Sequence, residues 1–196
     1  PMVETVHGTI VECNTAYPGE RNTTDAHRRT MIKHGWSKLF DVDILDAEGP
    51  DLELPIPNGK RIQKNLVGKD IKNYDSMLVL SHFKGHPMGG FGGALKQLSI
   101  GCASSAGKAN IHGAGKPEEM WTTEQNAFLE SMADAAESVV KLFDGKIVYI
   151  NVMKNMSVDC DCCAVAEDPC MKDIGILASL DPIAIDQACL DLVYAS

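Results

Sequence analysis

The chain has 196 residues, which suits one domain with one sizeable hydrophobic core, and 44% of them are hydrophobic. A net charge of -9 argues against a nucleic-acid-binding surface, because phosphate affinity needs clustered positive charge. No apolar run approaches the roughly 18 residues of a membrane-spanning helix, and the first residues of this sequence show no basic region followed by an apolar stretch, so we expect a soluble protein that is not exported. The seven cysteines, three of them within 160–163, favour a reducing cytoplasm over structural disulfides.

Apolar and β-branched runs predict strands at residues 8–13, 41–46, 77–80, 146–152 and 174–179. Helical signals alternate with them: Thr24 as a cap for 25–34, apolar spacing over 123–143, and Asp181-Pro182 at the start of a last helix. Residues 48–70 indicate a small hairpin. This order predicts an α/β fold, with a mostly parallel central sheet flanked by helices, in a single domain over 1–196. Both ends are abrupt, so we expect a fragment of a longer chain.

A glycine-rich segment, 85–93, lies where the strand at 77–80 gives way to a helix, a common place for a ligand site in α/β proteins. It does not match the P-loop, since no Gly-Lys-Ser/Thr follows at the required spacing. It does not match the dinucleotide fingerprint either, since Leu95 stands where the third glycine is needed. Its backbone and the helix start suit a carboxylate or phosphate, although the glycines could instead serve close packing. The predicted ligand-binding residues are Gly89, Gly90, Gly92, Gly93, Lys96 and Lys108.

Lys84 and His86 are the candidate catalytic residues, as an acid and a base beside the glycines. His82 lies four positions before His86, but Gly85 and Pro87 disfavour a helix that would bring the two rings to one face. His82 is a candidate metal ligand, and an ordinary hydrogen-bonded histidine is the alternative. The same two interpretations, metal ligand or ordinary hydrogen-bonded histidine, apply to His112. It lies in a second segment rich in glycine, alanine and serine, after Lys96, which we expect to be a lid or an ordered loop.

A dense group of hard and soft metal ligands follows the strand at 146–152, and thiolates there would suit zinc or iron. Its spacing matches neither the bacterial ferredoxin run nor a paired zinc motif. Free structural thiols or a redox-active pair are the alternatives to a metal site. The candidate metal ligands are Asp159, Cys160, Asp161 and Cys162.

Five segments of this chain resemble the DUF362 family: 14–17, 80–86, 89–96, 104–108 and 173–182. Residues 157–162 also resemble the family, whereas Cys163 and Cys170 fall outside the resemblance. Members often carry a ferredoxin-like domain with two iron–sulfur clusters, so the resemblance implies a redox-linked role. It further implies a 4Fe-4S cluster and a ferredoxin-like or other electron-transfer partner. The usual ferredoxin cysteine runs are absent from this sequence.

Three hypotheses on function remain open. The leading one is a cytoplasmic, iron–sulfur-associated, redox-linked domain that binds a metal and a small anionic ligand. The second is a non-catalytic module that binds an acidic small molecule or a loop of a partner protein. The third is a metal-dependent hydrolase or isomerase in which Lys84 or His86 acts as acid or base.

Overall fold

A computed structural model describes residues 5, 8–160, 165 and 167–196 of the chain. Asp161 and Cys162, two of the predicted metal ligands, lie outside the described residues. Within the described part there are five α-helices. They are α1 (Thr24–Lys33), α2 (Ala94–Cys102), α3 (Ser105–His112), α4 (Gln125–Phe143) and α5 (Pro182–Tyr194). The described strands are β1 (Ile10–Glu12), β2 (Val42–Ile44), β3 (Leu52–Pro55), β4 (Lys64–Val67), β5 (Met77–His82), β6 (Lys84–His86), β7 (Gly90–Gly92), β8 (Ile147–Met153) and β9 (Gly175–Ser179).

The central sheet has the strand order β5-β8-β9 and is mixed. Strands β5 and β8 are parallel, in a register that pairs Met77 with Ile147 and His82 with Val152, whereas β8 and β9 are antiparallel. The α/β class is therefore confirmed, but a mostly parallel central sheet is not. A parallel return needs a long crossover, usually a helix, and the described residues between β8 and β9 form none.

Three two-stranded sheets surround the central one. Strands β1 and β2 are parallel, β3 and β4 form the antiparallel hairpin predicted within 48–70, and β6 and β7 form a second antiparallel hairpin inside the glycine-rich segment. The lid or loop expected after Lys96 is wrong, because this stretch forms α2 and α3. Ser104 caps α3 by accepting a hydrogen bond from the backbone N–H of Gly107, which offsets the poor helix propensity of this stretch.

The main core lies on one face of the central sheet, where alternate strand residues pack against helices α2, α4 and α5. Its buried side chains include Val79, Leu98, Val139, Tyr149 and Ile185. Strand β8 is fully covered on one face only, since Val148 on the other face is 42% exposed. Among the described residues, no helix combines the length and apolar character needed to cross a membrane.

Candidate functional site

The β6–β7 hairpin brings together two lysines from either side of the glycine-rich segment. Lys84 pairs with Gly92 in the hairpin, and Lys96 follows in the first turn of α2. A Cβ atom placed on Gly92 would lie 3.5 Å from Cε of Lys84 and 3.6 Å from Cδ of Lys96. The structure therefore places two of the predicted site residues beside Gly92.

His86 is buried within the same hairpin. Its Nδ1 accepts hydrogen bonds from the backbone N–H groups of Gly89 and Met88, at 2.9 and 3.2 Å. Because an accepting nitrogen carries no hydrogen, the proton of the neutral ring resides on Nε2. His86 thus presents a hydrogen-bond donor at Nε2, and Gly89 serves as a backbone support for this ring.

His112, at the end of α3, has the opposite arrangement. Its Nδ1 lies 2.7 Å from the carbonyl oxygen of Lys108, which can only accept, so Nδ1 carries the hydrogen and Nε2 has a lone pair. Burial lowers the pKa of His112, the Lys108 carbonyl opposes that effect, and the positive charges of Lys96, of His86 when it is protonated, and of Lys108 lower the pKa further. His112 therefore lies close to the hairpin. We call Lys84, His86, Lys96 and His112 the basic cluster.

Lys108 contributes to this site mainly through its backbone. Its ammonium is buried and donates to the carbonyl oxygen of Ala103 at 2.5 Å. Burial raises the pKa of Glu12, and the charge of Lys108 lowers it again, so the ammonium lies near the end of β1. Lys108 was predicted to bind the ligand beside the glycines, and the structure instead places its side chain toward Ala103 and Glu12.

The start of α2 was expected to supply N–H groups to a bound anion. Those groups already bind a carboxylate of the protein: Asp186 of α5 accepts from the N–H of Ala94 at 2.7 Å and of Leu95 at 2.9 Å. A Cβ atom on Gly93 would lie 2.4 Å from Oδ1 of Asp186, so this glycine allows the carboxylate to approach. An external anion would have to bind through the side chains of the basic cluster.

The loop after β8 packs directly on the hairpin. The N–H of Gly85 donates to the carbonyl oxygen of Ser157 at 2.9 Å, and a Cβ atom on Gly85 would lie 1.7 Å from the carbonyl oxygen of Val158. This contact brings the loop that carries Asp159 and Cys160 next to β6. Cys160 is buried, with its backbone N–H donating to the Asp159 carboxylate at 2.6 Å, whereas Cys170 is exposed.

His82 has a different environment from His86. It lines a shallow groove of about 400 Å³ together with Leu80, Val152 and Lys154, and its Nε2 donates to the Lys154 carbonyl oxygen at 2.7 Å. Across residues 8–160 and 167–196, no group of three or more His, Cys, Asp or Glu side chains is arranged to hold a metal ion. The predicted joint metal site of His82 with Asp159 and Cys160 is thus not assembled in the described part.

These features define an α/β domain whose candidate binding site is a basic, glycine-lined hairpin beyond the carboxyl end of β5. The family model described as "Domain of unknown function (DUF362)" matches residues 2–191, and the chain belongs to this family. No curated protein matches the chain at a significant level.

The solved structures with a similar fold include the lactate racemase apoprotein from Thermoanaerobacterium thermosaccharolyticum. The match has a TM-score of 0.56 and 16% sequence identity, and it covers 93% of this chain and 40% of the racemase chain. The chain therefore spans less than half the length of that protein. At this identity the likeness concerns the fold.

Replacing Gly93 by alanine should destabilise the protein by about 3 kcal/mol, because the new methyl group collides with the buried Asp186 carboxylate. Chemical denaturation measures the loss. Gly19→Ala is the matched control, since nothing lies within 4 Å of its Cβ position, and it should change the free energy of unfolding by less than about 0.5 kcal/mol. Equal effects of the two substitutions would contradict the close approach of Asp186.

The pKa of His112 should lie below the ordinary 6.5, because burial disfavours the charged ring, and the neutral ring should carry its hydrogen on Nδ1. As the pH falls through 6.5, the unfolded chain binds a proton more readily than the folded chain does, so the free energy of unfolding decreases on acidification. Nitrogen NMR of ¹⁵N-histidine-labelled protein, assigned with His112→Asn, measures both the pKa and the position of the hydrogen. A pKa at or above 6.5, or a hydrogen on Nε2 alone, would show the described environment to be wrong.

Proposed function

We propose that this chain is the ligand-binding domain of a metal- or cofactor-associated protein. In this proposal the basic cluster binds a small carboxylate, and its side chains donate a proton to that ligand and accept one from it. The observation that carries this proposal is the approach of the Lys84 and Lys96 side chains to Gly92, in the hairpin that also holds His86, in a chain of net charge -9. Such local positive charge in an acidic protein favours one anionic ligand at one place.

The proton positions on the two histidines support acid–base chemistry. Neutral His86 presents an N–H at Nε2, and neutral His112 presents a lone pair at Nε2. A donor and an acceptor of this kind can act as a general acid and a general base, while the ammonium groups of Lys84 and Lys96 neutralise the ligand carboxylate. Among the three hypotheses, this favours an isomerase.

The fold likeness to a lactate racemase gives the proposal a substrate class. Racemisation of a 2-hydroxy acid inverts the carbon that bears the hydroxyl, so a bond to hydrogen at that carbon must break and form again. A site with an acid, a base and carboxylate-binding cations has the groups for such a reaction. We therefore propose a small 2-hydroxy acid as the ligand, with lactate as the first probe.

A metal or cofactor fits part of this site. His112 donates its Nδ1 hydrogen to a backbone carbonyl, so its Nε2 lone pair could ligate a metal in place of acting as the general base. A bound metal would polarise a ligand oxygen. Since the described residues contain no three-ligand group, His112 would contribute a single ligand, and the remaining ones would come from a cofactor or from other parts of the chain.

The iron–sulfur and redox expectation depends on the family resemblance and stays a second candidate. The proximity of the Cys160 loop to β6 favours keeping it, because a cluster bound there would adjoin the basic cluster. Elemental analysis of anaerobically purified protein distinguishes the candidates. Iron with sulfide supports a cluster and an electron-transfer partner, another metal without sulfide supports the isomerase, and no metal supports a non-catalytic binding module.

The binding proposal predicts that L-lactate binds the purified protein and that Lys96→Met weakens this binding by about tenfold or more, because a charge-assisted contact is lost. Isothermal titration calorimetry measures the affinity. Lys33→Met removes an equal charge from exposed α1, where Lys33 lies 3.7 Å from Glu20, and should leave the affinity unchanged. No binding by the wild type, or equal loss in both variants, would refute the proposal.

A further inference from the structure

Asp186 connects three elements at the edge of the candidate site. Its Oδ1 accepts from the Nδ2 group of Asn151 in β8 at 2.8 Å, in addition to the N–H of Ala94, and its Oδ2 accepts from the N–H of Leu95. The side chain is 2% exposed, so these contacts are made out of water. The carboxylate thus joins α5 and the central sheet to the first turn of α2.

Lys96 is the residue directly after the two amides that Asp186 binds. The direction of its side chain depends on the path of the first helical turn, and that path is set by the Ala94 and Leu95 contacts. The turn lacks a capping side chain of its own, since its cap position is Gly93. Asp186 therefore supplies from α5 the cap that α2 does not have locally.

We propose that Asp186 is a positioning residue that directs Lys96 toward Gly92 and the basic cluster. This inference rests on the proposed function for its consequence in ligand binding, although the effect on Lys96 itself does not require a ligand. Asp186 can have this role because its buried carboxylate accepts hydrogen bonds from two consecutive N–H groups at the start of α2 and so fixes the path of the first turn.

The direction in which Asp186→Asn changes the affinity for an anion distinguishes a positioning role from a simple effect of charge. Asp186 is a negative charge near a cationic site, so its neutralisation alone should strengthen the binding of an anion. Loss of positioning should weaken that binding, because the Lys96 ammonium would no longer be held in one place. For Asp186→Asn the two roles therefore predict opposite results: tighter anion binding if only the charge matters, and weaker binding if Asp186 positions Lys96.

Asp134→Asn is the matched control for a purely structural effect. Asp134 of α4 is also a buried carboxylate that binds consecutive backbone N–H groups, those of Lys60, Arg61 and Ile62 at 3.0, 2.7 and 3.1 Å. We expect both variants to lose stability in chemical denaturation. In calorimetry with L-lactate, Asp186→Asn should raise the dissociation constant about tenfold, and Asp134→Asn should leave it unchanged.

A second measurement keeps the inference testable if the wild type does not bind lactate, an outcome that would refute the proposed function alone. The rate of Lys96 acetylation, followed by mass spectrometry relative to Lys33, should rise about threefold or more in Asp186→Asn, because the first turn of α2 opens more often. It should be unchanged in Asp134→Asn. Unchanged Lys96 reactivity in Asp186→Asn, or tighter lactate binding, would overturn the positioning role.

If Asp186→Asn does not fold, Asn151→Ala serves instead, since it removes the side-chain donor that fixes Oδ1 of Asp186, so the carboxylate holds the N–H groups of Ala94 and Leu95 less firmly. A smaller rise in Lys96 reactivity supports the inference. No rise in a folded Asn151→Ala protein contradicts it.

Discussion

The β6–β7 hairpin is held from two sides, and the basic cluster depends on both contacts. On one side, the buried Asp186 carboxylate binds the start of α2 and the Asn151 amide of β8. On the other side, the N–H of Gly85 binds the Ser157 carbonyl oxygen. The hydrogen bonds to Asp186 are charge-assisted and made out of water, and both contacts require a close approach that a glycine permits, Gly93 for the first and Gly85 for the second. The rigid hairpin is what allows flexible lysine side chains to share one site.

This arrangement changes the physical origin of anion binding. Helix starts commonly bind anions through free N–H groups, but here the carboxylate of Asp186 already occupies those of α2. In the proposed site the attraction for an external anion would come from the ammonium groups of Lys84 and Lys96 instead. Because the neutral rings of His86 and His112 carry their hydrogens on different ring nitrogens, they could exchange protons with a ligand that the lysines hold.

Local signals in the sequence were sufficient for the strands near 77–80 and 146–152, the hairpin within 48–70, the last helix at Pro182, and the DUF362 family. They failed for α3 and for the part of α2 after Lys96, where alanine, serine and glycine have weak helical signals and tertiary packing stabilises the helices. The direction of β9 was missed because strand direction depends on the crossover. The role of Asp186 has no local signal, since its partner Ala94 lies 92 positions away. The interaction of His112 with Lys96 and His86 likewise arises only in the folded chain, because the three residues belong to α3, α2 and β6.

The central claim is that the basic cluster binds a small carboxylate, and a crystal structure of the protein with sodium L-lactate tests it most directly. The account predicts lactate beside Gly92, with its carboxylate on the ammonium groups of Lys84 and Lys96 and its hydroxyl within hydrogen-bond distance of His112. Lactate bound in the groove at His82 instead, or a basic cluster in which Lys84 and Lys96 point away from each other, would contradict the account.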